Sequence, residues 1–269
     1  ANASYKVDTT APTAVWSAAT DNVGVVTGSL TSGDSTNDTA LGLSGTNESG
    51  SSVTVYNGTT LLEAATVSGT GWSYTATVAN GTTYQFNVKE TDAAGNTSAA
   101  TSNFAVTGDT TAPTVSSVSI SSASGVQNSL LNAGDVVSVT VTFSENVTRT
   151  GSPQFTLNVG GTNRTATYGS GSGGTSLVFQ YTIQAGESDA DGISIGANAL
   201  ALNSGTIRDT AGNNATLTHS AVSANASYKV DTTAPTANFT AATDNVGTVT
   251  GALTSGNTTD DTALVLSGT

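Results

Sequence analysis

The residues that could do chemistry in this chain are carboxylates, and they recur at fixed places. The hexapeptide Asp-Thr-Thr-Ala-Pro-Thr stands at residues 8–13, 109–114 and 231–236. A second motif, Asp-x-Ala-Gly-Asn, stands at 92–96 and 209–213. Carboxylate and carboxamide oxygens gathered at one place are a ligand set for a hard cation. Calcium takes six to eight such oxygens at irregular geometry, whereas magnesium asks for a stricter octahedron and keeps its waters. Zinc and copper call for His or Cys, and the chain has one His and no Cys. Like charges brought together cost free energy unless a cation sits among them. The plain alternative is that short polar residues make good turns and that an acidic surface keeps a chain soluble.

The elements that must position these residues are strands. Thr, Ser, Ala, Gly, Asn and Val dominate, and no stretch reads as a helix of useful length. Apolar residues alternate with polar ones at Leu41/Leu43, Val53/Val55, Trp72/Tyr74/Ala76/Val78 and Tyr84/Phe86/Val88. The same period recurs at 136–143, at Phe155/Leu157/Val159 and at Leu177/Phe179/Tyr181/Ile183. Single strands are expected over 61–67 and 216–230, and Trp16, Trp72, Tyr74 and Phe86 are expected in a core. Each Asp-Thr-Thr-Ala-Pro unit reads as a short stiff linker, because Pro fixes its own φ and pushes the preceding residue toward extended conformations.

Residues 1–46 align without a gap to 224–269, with 37 identities in 46 positions. This is an internal repeat two domains long. The expected division is the last strand of a preceding B-type repeat over 1–8, domain A over 9–108, domain B over 109–230, and the incomplete first strands of a second A-type domain over 231–269. The pattern starts and stops mid-repeat, which reads as a window on a longer array. The fold class expected is all-β, as tandem immunoglobulin- or fibronectin-III-like β-sandwiches joined by the linkers.

Chain direction through a sandwich then predicts which carboxylates meet. The loop before the last strand lies beside the incoming linker, so Asp8 should lie near Asp92 and Asn96, and Asp109 near Asp209 and Asn213, with Glu145 joining them. The loop after the first strand lies at the opposite pole. It brings Asp21, Asn22 and Asp38 toward Asp109, and the Asp189/Asp191 loop toward Asp231. Asp244 is a further candidate near Asp231, although its own loop should point to the following joint. Each joint would thus collect calcium ligands from the foot of one domain, the linker and the head of the next.

The motifs Val7-Asp8-Thr9-Thr10-Ala11-Pro12, Thr20-Asp21-Asn22-Val23-Gly24, Asn37-Asp38-Thr39 and Thr91-Asp92-Ala93-Ala94-Gly95-Asn96 resemble the bacterial Ig-like repeats of giant calcium-binding surface adhesins, of the biofilm-associated and repeats-in-toxin types. Phe143-Ser144-Glu145 and the 209–213 loop resemble a related repeat of the same kind of protein. The resemblance implies calcium at the joints, export to the bacterial surface or medium, and a role in attachment or biofilm formation. A chain without Cys suits export in the unfolded state. The expected partners are calcium, neighbouring repeats and other copies of the chain. A net charge of −13 argues against nucleic acid, and no apolar run is long enough to enter a membrane. An enzyme is not expected: His219 stands alone, and the carboxylates map to poles rather than to a cleft. Two functions remain open, a calcium-rigidified extender and a self-assembling fibre or surface-layer subunit with strand exchange between neighbours.

Overall fold

The computed structural model describes residues 6–269, and every described element is a strand. Domain A contains β1 (Val15–Asp21), β2 (Gly28–Ser29), β3 (Ser35–Thr36), β4 (Ala40–Thr46), β5 (Ser52–Asn57), β6 (Thr60–Ala64), β7 (Thr66–Ser68), β8 (Gly71–Thr77), β9 (Thr83–Thr91) and β10 (Phe104–Gly108). One sheet runs β2-β1-β4-β8-β7 and the other β3-β10-β9-β5-β6. Alternation puts Leu41, Leu43, Val53, Val55, Trp72, Phe86 and Val88 between them, as the period-two pattern requires. Trp72 and Phe86 are buried, while Trp16 and Tyr74 pack on the core from its margin. The Trp16 ring stacks on Phe104 at 5.3 Å and meets Trp72 edge-on at 5.8 Å.

The single strand expected over 61–67 is two strands in different sheets. β6 pairs with β5, and β7 pairs with β8. The chain crosses between the sheets at Ala65, whose N–H still bonds the Val53 carbonyl. Both strands lie at sheet edges, where one neighbour is enough, so a run that looks continuous can divide.

Domain B contains β11 (Val115–Ala123), β12 (Leu130–Leu131), β13 (Val136–Phe143), β14 (Thr148–Thr150), β15 (Gln154–Val159), β16 (Thr162–Ser170), β17 (Ser176–Thr182), β18 (Ser188–Asp189), β19 (Leu200–Ala201), β20 (Thr206–Arg208) and β21 (Lys229–Asp231). A six-stranded sheet, β11-β13-β17-β16-β15-β19, faces two small sheets, β12-β21-β18 and β14-β20. Val137, Val139, Val141, Phe155, Leu157, Leu177 and Phe179 fill the core with Ile193 and Ile195. The long last strand expected over 216–230 is reduced to β21. Upstream of it the chain touches its neighbours through isolated bridges, Thr114 with Thr216 and Ile195 with Val222. Residues 216–227 alternate poorly, so little apolar surface holds them in a ladder.

The third element group is β22 (Phe239–Asp244), β23 (Gly251–Leu253) and β24 (Val265–Gly268), in the order β23-β22-β24. It repeats β1, β2 and β4. Its apolar face is uncovered: Leu266 is 66 % exposed, whereas its counterpart Leu43 is 1 % exposed. Of the strand expected over 1–8, residues 1–5 lie outside the described residues and 6–8 form no strand. The identical Lys229, Val230 and Asp231 form β21 because β12 and β18 flank them.

A candidate metal centre at the joint between the first two sandwiches

The three linker carboxylates share one local structure. Asp8, Asp109 and Asp231 each accept, on Oδ1, the N–H of the Thr two residues on (Thr10, Thr111, Thr233), at 3.0, 3.1 and 2.9 Å. This Asx turn is the local reason for Asp at the head of the motif. It uses one carboxylate oxygen and leaves Oδ2 for something else.

The Asp-x-Ala-Gly-Asn loops act as hydrogen-bond staples. In domain A, the Asn96 amide Nδ2 donates to Asp92 Oδ2 at 2.8 Å and to the Asp8 carbonyl at 3.1 Å. In domain B, Asn213 Nδ2 donates to Asp209 Oδ2 at 2.8 Å and to the Asp109 carbonyl at 2.9 Å. One amide therefore ties the last loop of a sandwich to the linker that enters it. The Asn96 side chain, assisted by backbone N–H groups, holds the Asp92 carboxyl below its usual range against the opposing effect of desolvation.

At the joint between A and B a third carboxylate arrives. Oxygens of Asp109, Glu145 and Asp209 all lie within 4.8 Å of one another. Glu145 sits just past β13, beside the linker, because Ser144 N bonds the Thr114 carbonyl and Ser144 Oγ accepts from Thr114 N. Asp209 is buried, and the other two are half-buried. Among the described residues neither Glu145 oxygen nor Asp109 Oδ2 accepts a hydrogen bond, and the one ion pair lies elsewhere, between Arg164 and Glu187. Arg208, next to Asp209 in sequence, directs its Nε to Asn214. Burial, followed by the charges of Asp109 and Asp209, pushes the Glu145 carboxyl up. Asp209 accepts from Asn213 on both oxygens, while Asp109 and Glu145 keep oxygens without donors, and three carboxylates so close with no ion pair among them fit a hard, oxygen-seeking cation. Among the described residues no such group of three forms at the head of domain A, where Asp8 and Asp92 meet Asn96.

The other residues expected at the joints are not part of this group of three, although their loops reach the linkers, through the Thr36 carbonyl at Asp109 and through the Ser188–Asp231 pair at Asp231. Asp21 accepts from Val23 N at 2.9 Å and from Thr36 Oγ1 at 2.6 Å, and Asp38 from Asn22 N at 3.2 Å and Ala40 N at 2.8 Å. Asn22 contributes its backbone, not its carboxamide. This buried knot reaches the linker through Thr36, whose carbonyl accepts the Asp109 N–H at 2.8 Å. The repeat reproduces it: Asp244 accepts from Val246 N and Thr259 Oγ1, and Asp261 from Asn245 N and Ala263 N. Asp189 is buried under the N–H groups of Gly160 and Gly192, at 2.7 and 2.8 Å, and Asp191 is exposed. None of these joins a three-carboxylate group among the described residues. His219, within the strand expected over 216–230, lies outside any strand. It accepts the Ala199 N–H on Nε2 and stacks on Phe155.

Sequence reasoning did not single out the contacts that seat A on B. Asn37 Nδ2 donates to Asn213 Oδ1 at 3.3 Å, and Val26 packs against Gly212. A Cβ on Gly212 would lie 3.2 Å from Val26 Cβ and Cγ2, whereas one on its counterpart Gly95 would meet nothing within 4 Å. Both glycines have positive φ, so Gly→Ala carries the same backbone cost of about 1 kcal/mol at each. Gly212→Ala is expected to perturb the Val26 methyl resonances and to lower stability more than Gly95→Ala. Equal effects would mean that this contact contributes nothing.

Residues 10–110 match the family model of the bacterial Ig-like domain. Over that span the chain is similar to a bacterial Ig-like repeat. The match begins inside the first linker motif and ends inside the second, and it includes both Asp92 and Asp109. No curated protein matches the sequence. Among solved structures, the fibronectin(III)-like modules of Clostridium thermocellum CbhA are similar at 14 % identity over 75 % of this chain and 90 % of theirs, with a TM-score of 0.30. A Bacteroides ovatus protein, SGBP-B of a mixed-linkage glucan utilization locus, solved with a mixed-linkage heptasaccharide, is similar at 16 % identity over 94 % of this chain and 63 % of its own, with a TM-score of 0.25. At such scores neither likeness bears on function, and the sandwich assignment rests on the strand order.

Proposed function

We propose that the chain is a run of calcium-rigidified extender repeats of a large bacterial surface adhesin, exported to the cell surface or medium, which projects an adhesive region for attachment or biofilm formation. The observation that carries this reading is the Asp109–Glu145–Asp209 group, placed where one sandwich meets the next. The similarity of residues 10–110 to a bacterial Ig-like domain supports the bacterial surface setting. In this reading the role is mechanical rather than catalytic. Asp109 ties the linker, Asp209 the last loop of B and Glu145 the end of β13, so one ion bound by all three removes the freedom of the linker relative to domain B. Staple and foot contacts then pass that constraint to domain A. The test is thermal melting and solution scattering with calcium and with a chelator. Calcium is expected to raise the melting temperature and narrow the range of shapes, and no response to calcium would sink the reading.

A further inference from the structure

Domain A buries a carboxylate that the joint does not use. Glu90, near the end of β9, is fully buried, two residues before Asp92. Its Oε1 lies 2.6 Å from both Glu48 N and Ser51 Oγ, each placed to donate to it. Its Oε2 has no donor among the described residues. Asn47, in the loop between β4 and β5, is also buried. Its Nδ2 donates to the Glu48 carbonyl at 2.7 Å and to Ser51 Oγ at 3.2 Å. That orientation sets the carboxamide, because flipping it would bring two acceptors together at Glu48 O. Asn47 Oδ1 is then left buried without a donor as well.

One knot therefore holds two orphan oxygens, on side chains linked through Ser51. Buried polar atoms without partners are rare and costly. As a carboxylate oxygen and a carboxamide oxygen, the two orphans are both acceptors and cannot satisfy each other. A carboxylate at zero exposure also needs a counter-charge, and the single ion pair among the described residues is in domain B. No imidazole or thiol is present in the knot, which removes the usual zinc and copper ligands. A carboxylate, a carboxamide, a hydroxyl and a backbone carbonyl are instead the oxygen types that calcium accepts.

We propose that this knot is a cation site inside the first sandwich, in which Glu90 Oε2 and Asn47 Oδ1 bind one hard divalent cation of the calcium class. The ion would tie the β4–β5 loop to the end of β9. β9 leads straight into Asp92, which holds Asn96 and through it the Asp8 carbonyl, so the site braces the head of domain A. It shares no residue with the Asp109 group and stands or falls independently of the function proposed above.

The two tryptophans of the chain give a selective readout, because both lie in domain A. The Trp72 indole packs against Gly45, two residues before Asn47, so closely that a Cβ on Gly45 would lie 2.5 Å from Nε1. Terbium in the knot should therefore emit when tryptophan is excited selectively, and calcium should displace it. In the full chain, Glu90→Gln is expected to reduce this emission at least tenfold, and Asp109→Asn and Asp8→Asn to leave it unchanged. Far-UV circular dichroism checks that Glu90→Gln folds. If it does not, Asn47→Ala, which keeps Glu90, should produce the same loss. Absence of sensitised emission in the parent protein, its survival in a folded Glu90→Gln or Asn47→Ala protein, or its loss in Asp109→Asn would overturn the proposal. The first of these outcomes would leave the joint untouched.

Discussion

Replacing Asp109 with Ala is expected to weaken calcium binding at the A–B joint at least tenfold, about 1.4 kcal/mol, and to leave both sandwiches folded. The backbone of Asp109 is held independently of its side chain. Its N–H bonds the Thr36 carbonyl, and its own carbonyl accepts from Asn213. The substitution therefore removes one carboxylate from a group of three, and with it the Thr111 Asx turn, but keeps the linker in register. Titration calorimetry reads the affinity, and unchanged affinity would remove Asp109 from the site. Glu145 supplies the matching pH experiment. Its carboxyl is pushed up first by burial and then by Asp109 and Asp209. A raised carboxyl pKa means that the folded state favours the proton. The stability this contributes is fully present below the ordinary Glu pKa and is lost as pH rises through the raised value. Calcium-free protein should accordingly lose stability across that interval. Calcium should flatten the profile by supplying the charge the proton had supplied, and Glu145→Gln should flatten it without calcium.

Gly45→Ala is expected to destabilise domain A strongly. Gly45 lies on β4 at the point where the Val15 carbonyl and the Trp72 indole close over the strand. A Cβ there would collide with the Val15 carbonyl and sit 2.5 Å from Trp72 Nε1. The same nitrogen donates to the Val15 carbonyl at 3.1 Å, so neither neighbour can yield without breaking that bond. Overpacking of this kind costs about 3 kcal/mol, which lowers the melting temperature of a domain of about 100 residues by more than 10 °C. Gly42→Ala, on the same strand with the Thr20 carbonyl as its nearest neighbour at 3.8 Å, is the control and should change little. The repeat carries the same distinction, since position 265 is Val where 42 is Gly, while 268 remains Gly. A Gly45→Ala protein that melts with the parent would show that β1 and Trp72 move apart freely.

Much of the joint was legible because it is built from motifs that recur. Asp8 and Asp109 each meet an Asp-x-Ala-Gly-Asn loop because the last loop of a sandwich lies beside the incoming chain, and Glu145 follows from the same direction rule. The foot loops lie against the linkers, as the direction rule expects: the Thr36 carbonyl accepts the Asp109 N–H, and Ser188 pairs with Asp231. Their local hydrogen bonds were not legible: Asp21, Asp38 and Asp244 accept from nearby backbone N–H groups, and Asp21 and Asp244 also from a Thr hydroxyl. Asp189 accepts from two glycine N–H groups. Glu90 and Asn47 could not be read from sequence at all. They lie 43 positions apart, no repeated motif marks them, and only the packing of the β4–β5 loop on the end of β9 brings them together. The division of 60–68 between two sheets was hidden because an edge strand places no demand on its outer side. In the fold, alternation identified the strands with one face in the core and a neighbour on each side, such as β9, β13 and β17. It overstated 216–230, where bridges rather than a ladder carry the chain.

Small-angle scattering on the whole chain, with calcium and then with a chelator, tests the rigid joint most directly. The expected result is a distance distribution that is long and narrow with calcium, broadens on chelation, and in Asp109→Asn protein is broad under both conditions. Identical distributions with and without calcium in the parent protein would contradict it.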